Sequence, residues 1–295
     1  MENPALVDPM NAATIFNNRG VTFYEMNRFE EALASYDQAI ALKSDDAEFI
    51  KNRGNALIKL KRFQEAIADF EKSKSLKSDQ PYLEGLRLHA KMHICDWNDF
   101  DGDCASLISK IETGVSASEP FILLPIPMES ALHRKCAELY VADICSAALS
   151  PLWRGERYAH QRIRVAYLSA DFREHAVATL AAGLFDHHDK SRFETTAISL
   201  GPDTKDIMRR RLQASFGQFI DASTKSDREV ATLLRDLEID IAVDLNGFTG
   251  DARSNIFALR AAPVQVNYLG YAGTLGKNYW DYIVEIGRAS CRERV

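Results

Sequence analysis

Residues 162–188 read RIRVAYLSADFREHAVATLAAGLFDHH. The run begins rich in β-formers, meets a short polar turn at SADFREH, and continues as a helix-length apolar segment. The same alternation follows downstream. FETTAISL is a strand by composition, TKDIMRRRLQASF an amphipathic helix and QFID a short strand. SDREVATLLRDL opens with a capping box, Ser226 followed by Glu229. EIDIAVDLNG is nearly continuous in apolar residues, as expected of a strand buried on both faces. SNIFALR is a helix, PVQVNYLGY a strand, and WDYIV the start of another. Strands alternating with helices predict a parallel, doubly wound α/β domain over residues 161–284. In such sheets ligands bind beyond the carboxyl ends of the strands. That rule selects three loops: SADFREHA, DLNGFTGDAR and LGYAGTLG. No GxGxxG follows the first strand and no GxxxxGK[ST] occurs, so dinucleotide and nucleoside-triphosphate binding lose their usual support.

Upstream, an internal repeat organises residues 1–80. NNRGVTFYEMNRFEEALASYDQAIALKSD (17–45) and KNRGNALIKLKRFQEAIADFEKSKSLKSD (51–79) align at an offset of 34 residues. Gly20 recurs as Gly54, Phe29 as Phe63, Ala32 as Ala66 and Tyr36 as Phe70. This is the period and small/aromatic pattern of the tetratricopeptide repeat. The glycines and alanines let paired helices approach closely, and the aromatic rings fill the space between. ALVDPMNA looks like the tail of one more repeat, so the array is expected to begin before Met1.

The period is expected to break at Pro81, and residues 81–160 read as a helical linker region. His89 and His93 have H-x3-H spacing, but no further ligand arrives at useful spacing, so packing is the expected role. Asp99, Asp101 and Asp103 resemble the start of a calcium loop, yet Cys104 stands where Gly is needed and no Glu closes the loop. They are expected to favour a helix N-terminus instead. TGVSASEPF and SPLWRGERYAHQ read as linkers. The pair His187–His188 lies at a helix end, where the dipole explains it.

A net charge of −6 gives no electrostatic case for a nucleic-acid partner. MENPALVDP has neither a basic n-region nor an apolar h-region, and no apolar stretch approaches the roughly 20 residues of a membrane span. The five cysteines, Cys95, Cys104, Cys136, Cys145 and Cys291, show no CxxC spacing. Reduced thiols in a cytoplasmic protein that uses no membrane are expected.

YLSADFREH, DIAVDLNGFTGDAR and FALRAAPVQVNYLGYAGT together resemble the first catalytic half of the O-linked N-acetylglucosaminyltransferases, the SPINDLY-like family. LHAKMHICDW resembles that family's link between repeats and catalytic region. The resemblance implies tetratricopeptide repeats followed by a Rossmann-like lobe of a B-type glycosyltransferase fold. It implies transfer of N-acetylglucosamine (GlcNAc) from UDP-GlcNAc to Ser or Thr of proteins, with inversion and without a metal or other cofactor. Protein or peptide acceptors would be recruited by the repeats. Carried across, His175 would position acceptor and sugar, and Asp171 would relay a proton. Leu269, Gly270 and Ala272 would contact the sugar, with Gly270 and Gly273 allowing close approach of the ligand. Asn246, Thr249 and Arg253 are binding candidates, although Asn246–Gly247 equally fits turn chemistry. Family members usually have Pro at the position of Ala272, and many at those of Ala176 and Ala261.

The resemblance stops at Val284. EIGRASCRERV (285–295) matches, codon by codon, a common sequencing-adapter string, so it is expected to be an artefact. The second lobe, which would hold the nucleotide, is then expected to be missing, and the chain as written is expected to have no measurable transferase activity. Two other readings stay open. One is a repeat-based interaction module with a non-catalytic lobe; the other is a related GDP-fucose-dependent protein O-fucosyltransferase.

Overall fold

The computed structural model describes residues 9–145 and 149–284. The expected tail at 285–295 and the start of the chain lie outside the described residues. Two compact units divide at Leu132/His133, inside the region expected to be a linker.

In the first unit, helices pair in sequence. They are α1 (Pro9–Glu25), α2 (Phe29–Leu42), α3 (Ala47–Lys59), α4 (Phe63–Leu76), α5 (Leu83–His93), α6 (Phe100–Glu112) and the short α7 (Pro120–Leu123). A Cβ at Gly20 would overlap the Tyr36 ring, and one at Gly54 would overlap the Phe70 ring. The same interhelix contact therefore recurs after 34 residues. A second recurrence runs further. Arg19 Nε donates to Ser35 Oγ at 3.0 Å, Arg53 Nε to Asp69 Oδ2 at 2.8 Å, and Arg87 Nη2 to Asp103. Arg19, Arg53 and Arg87 are 34 residues apart, as are their partners.

The expected break at Pro81 is thus corrected: α5 and α6 form a third pair in the same frame. Its signature was hidden because Leu88 and Phe100 replace the small residues, and because six residues rather than three connect the helices. Asp99, Asp101 and Asp103 do lie at the N-terminus of α6, Asp99 at the N-cap and the other two in the first turn, as expected, although Asp99 makes no side-chain capping bond. Asp103 in addition joins α5 through Arg87 and Lys91. The Lys91 and Arg87 cations hold the Asp103 carboxyl below the ordinary carboxylate range, although burial pushes the other way. Stacking a third pair covers the apolar face the second would expose, here Phe70, Leu83 and Ala90.

In the second unit, α8 (Ser130–Ile144) leads to a parallel sheet. The order along the chain is β1 (Ile163–Ser169), α9 (Ala176–Asp186), β2 (Phe193–Ser199), α10 (Ile207–Ser215), β3 (Gln218–Asp221), α11 (Asp227–Asp236), β4 (Ile241–Asp244), α12 (Asn255–Ala258), β5 (Val264–Tyr268) and β6 (Tyr282–Val284). The six strands lie side by side as β3-β2-β1-β4-β5-β6, all parallel. Alternation along β1 builds two cores. Ala166 and Leu168 face α8, α11 and α12, while Val165 and Tyr167 face α9 and α10. Ser226 and Glu229 make the expected capping box of α11. The segment 152–160 is tied down. Leu152 and Trp153 donate backbone N–H groups to Leu259 and Arg260, and His160 bridges Glu238 and Asp240.

Candidate functional site

The chain enters the sheet at β1, builds outward through β2 and β3, then returns to place β4 on the other side of β1. Between β1 and β4 the direction of winding reverses, and sheets of this kind bind ligands in the crevice formed at that switch point by the loops after the strands. Asp171 and His175 stand on the first loop, and Asn246 and Thr249 on the second.

Asn246 joins the two loops. Its Nδ2 donates to Asp171 Oδ2 at 2.9 Å, and its Oδ1 accepts from the Ala170 N–H at 2.9 Å. Asn246 and Asp171 are both buried. The Asp171 N–H donates to Ser169 Oγ, and Arg173 Nη2 reaches Asp171 Oδ1 at 3.2 Å. Thr249 Oγ1 donates to the Asn246 carbonyl at 3.0 Å and closes the turn.

His175 is the N-cap of α9, and its exposed imidazole sits at the rim. Its Nδ1 accepts the Val177 N–H at 3.3 Å and stands 3.7 Å from Asp171 Oδ2, too far for a hydrogen bond. A nitrogen that accepts carries no proton, so in the neutral ring the proton resides on Nε2. A small rotation toward Asp171, with the ring proton passing through solvent from Nε2 to Nδ1, would exchange the cap for an Nδ1–H···Oδ2 bond and leave the Nε2 lone pair free.

Behind these groups lies a support that sequence reasoning missed. Asp244, fully buried at the end of β4, accepts the N–H groups of Asn246 and Gly247 on Oδ1 and the Trp280 Nε1–H on Oδ2. Burial raises its pKa, against the pull of these donors. On the other side, Arg209 of α10 is almost wholly buried. It donates to Ser199 Oγ at 2.8 Å, to the Phe172 carbonyl at 3.3 Å and to Asp221 Oδ2 at 3.1 Å. Asp206, the N-cap of α10, accepts the Glu174 N–H. The first turn of α10 therefore grips the Asp171–His175 loop from behind.

Three expectations change. Gly270 does allow a close approach, but the approaching group is the chain itself: a Cβ there would overlap the Leu245 carbonyl. Likewise a Cβ at Gly273 would meet the Tyr271 ring. Arg253 turns from the crevice to brace the loop after β3, donating to Asp227 Oδ1 at 2.7 Å and to the Ala222 and Lys225 carbonyls. Leu269, in a left-handed conformation at φ 72°, and exposed Ala272 flank Gly270 on the loop after β5. The paired histidines also divide. His187 donates Nδ1–H to the Gly183 carbonyl at the helix end, while His188 Nε2 accepts from the Tyr167 hydroxyl at 2.8 Å.

A single family model, Glycosyl transferase family 41, matches residues 94–293. This chain belongs to that family. Tetratricopeptide-repeat models match residues 20–61 and 50–80. An Arabidopsis thaliana protein named "Probable UDP-N-acetylglucosamine--peptide N-acetylglucosaminyltransferase SEC" is 30% identical over 67% of this chain and 22% of its own length. A Caenorhabditis elegans UDP-N-acetylglucosamine–peptide N-acetylglucosaminyltransferase is 30% identical over 65% of this chain and 18% of its own. The chain thus spans about a fifth of the length of these curated relatives. A solved O-GlcNAc transferase variant from Thermobaculum terrenum shares the fold, with a TM-score of 0.60 and 22% identity over 94% of this chain and 47% of that one. Among the described residues of this family 41 chain, no helix is long and apolar enough to cross a membrane.

Proposed function

We propose that this family 41 chain carries the acceptor-side half of a protein O-GlcNAc transferase. The whole protein would move N-acetylglucosamine from UDP-GlcNAc to a Ser or Thr hydroxyl. The observation that supports this most directly is the Asp171–Asn246 hydrogen bond across the switch point, with His175 at the mouth of the same crevice. In the inverting displacement, the acceptor oxygen bonds to the anomeric carbon, the bond from that carbon to the UDP oxygen breaks, and the acceptor proton must leave. With Nδ1–H turned to Asp171, His175 Nε2 takes that proton, and Asp171 stabilises the imidazolium that results. Thr249 lies beside Asn246 as a second polar group of the crevice, and Leu269 and Ala272 line its far side. The displacement relies on proton transfer and calls for no metal cofactor. The helical repeats would recruit the polypeptide acceptor along their stacked faces.

The test is transfer by the full-length protein to a Ser/Thr peptide, with UDP-GlcNAc and GDP-fucose offered separately. Labelling from UDP-GlcNAc that survives a chelator supports the reading. Labelling from GDP-fucose alone would replace it with fucosyl transfer. Peptide binding without transfer from either donor would leave an interaction module.

A further inference from the structure

His89 and His93, expected from the sequence to serve in packing, are held in a defined arrangement. They are four residues apart on α5, hence on one face of the helix. Their Nε2 atoms face each other at 3.2 Å. The His93 ring stacks on Phe63 of the preceding pair, with centroids 4.4 Å apart and planes within 2°. His89 meets it edge-on at 4.4 Å. A neighbouring helix therefore fixes the rotamer of one imidazole, and that imidazole constrains the other. This placement is unlike that of two free surface histidines.

We propose that His89 and His93 form a two-nitrogen chelate for a divalent transition-metal ion of the zinc class, with water completing the coordination. Two imidazole nitrogens bound to tetrahedral Zn²⁺ at about 2.0–2.1 Å lie about 3.3–3.4 Å apart, close to the spacing found here. Little movement is needed to admit the ion. In the metal-free pair one Nε2 carries a proton and donates to the other. Metal entry moves that proton to Nδ1 of the same ring, so both Nε2 lone pairs become available with no net proton release. Lys59 nearby opposes any cation here, which disfavours hard ions bound mainly by charge and leaves selectivity to imidazole's preference for zinc, nickel and copper. Among the described residues no third His, Cys, Asp or Glu completes a cluster, so the site is open and of modest affinity.

The test uses the purified chain, stripped with chelator and titrated with ZnCl₂ by calorimetry, while imidazole ¹⁵N resonances are recorded. One ion per chain that shifts both Nε2 resonances together is expected, with MgCl₂ producing no shift. His89→Gln and His93→Gln should each weaken binding at least about tenfold. Phe63→Ala, which keeps both nitrogens but frees one ring, should weaken it several-fold, and Cys95→Ser should leave it unchanged. Circular dichroism checks that each variant folds. Should one Gln variant fail to fold, the other and Phe63→Ala still decide the matter. Unchanged affinity in the Gln variants, binding abolished by Cys95→Ser alone, or unmoved imidazole resonances at about millimolar zinc would each overturn the proposal.

Discussion

Removing the His175 imidazole takes away two things at once, the cap of α9 and a nitrogen facing the crevice. His175→Asn separates them, because asparagine is among the best N-caps. In the full-length enzyme both His175→Ala and His175→Asn should lower kcat by about 10²–10⁴-fold if the ring moves the proton. Only the alanine variant should also lose about 1 kcal/mol of stability in denaturant titrations. An asparagine variant with ordinary turnover would remove His175 from the chemistry. Asp244→Asn probes the support below. The amide oxygen can keep both backbone donors, but its NH₂ must then face the Trp280 N–H, donor against donor. A loss of about 1–3 kcal/mol is expected by urea denaturation. Asp171 and His175 were legible in the sequence because they sit within seven residues of a strand end. Arg209, Asp244 and Trp280 were not: Arg209 reaches the Phe172 carbonyl 37 positions away and Trp280 reaches Asp244 36 positions away, and no local pattern marks such pairs.

Elements repeat in this chain through contacts more than through residue types. The Gly/Ala signature fades after α4, yet the arginine bridging the two helices of a pair persists into α5 and α6. What remains visible at a 34-residue spacing is one Arg and one polar partner, too sparse to be read as a repeat without the fold. The bridges also differ in burial. Arg62–Glu65 is exposed, whereas Arg87 and Asp103 are almost covered. Arg62→Met should therefore leave stability nearly unchanged. Arg87→Met should cost about 3 kcal/mol, near the low end for a broken buried pair, because Lys91 still faces Asp103. Equal costs in urea titrations would contradict the assignment of Arg87 to the third pair's core. Glycines in the second unit allow a parallel comparison. Gly183, inside α9 with open space around it, should accept alanine with a gain of about 0.5–1 kcal/mol. Gly270→Ala must push the loop after β5 off the Leu245 carbonyl, and a loss of about 1–3 kcal/mol in the same titration is expected.

At the scale of the whole molecule, His89 of the first unit and His160 of the second titrate in opposite senses, and each adds a pH dependence of its own sign. In the first unit burial depresses the His89 pKa to about 4, below the ordinary value of about 6.5. Its contribution is therefore present above about pH 6.5 and is lost as pH falls from there toward 4. In the second unit the hydrogen bond that His160 donates to Glu238, aided by the one to Asp240, raises its pKa despite some desolvation. Its contribution is full below about pH 6.5 and is lost as pH rises through the raised value. The His160 side chain is largely covered, but its main partner Glu238 is exposed and screened by water, so its effect is the smaller of the two. It nonetheless helps tie the end of the 152–160 segment to Glu238 and Asp240, beside the start of β4. Melting curves across pH 4.5 to 9 test both dependences (about two units either side of the ordinary His pKa). With metal chelated throughout, His89→Gln should flatten the acid side of the profile and leave the alkaline side alone. His160→Gln should do the reverse, read from the buried Trp280 in its own unit. If either slope survives its substitution, another group carries it. His133 and His188, whose pKa values burial also lowers, are then the groups to substitute on the acid side.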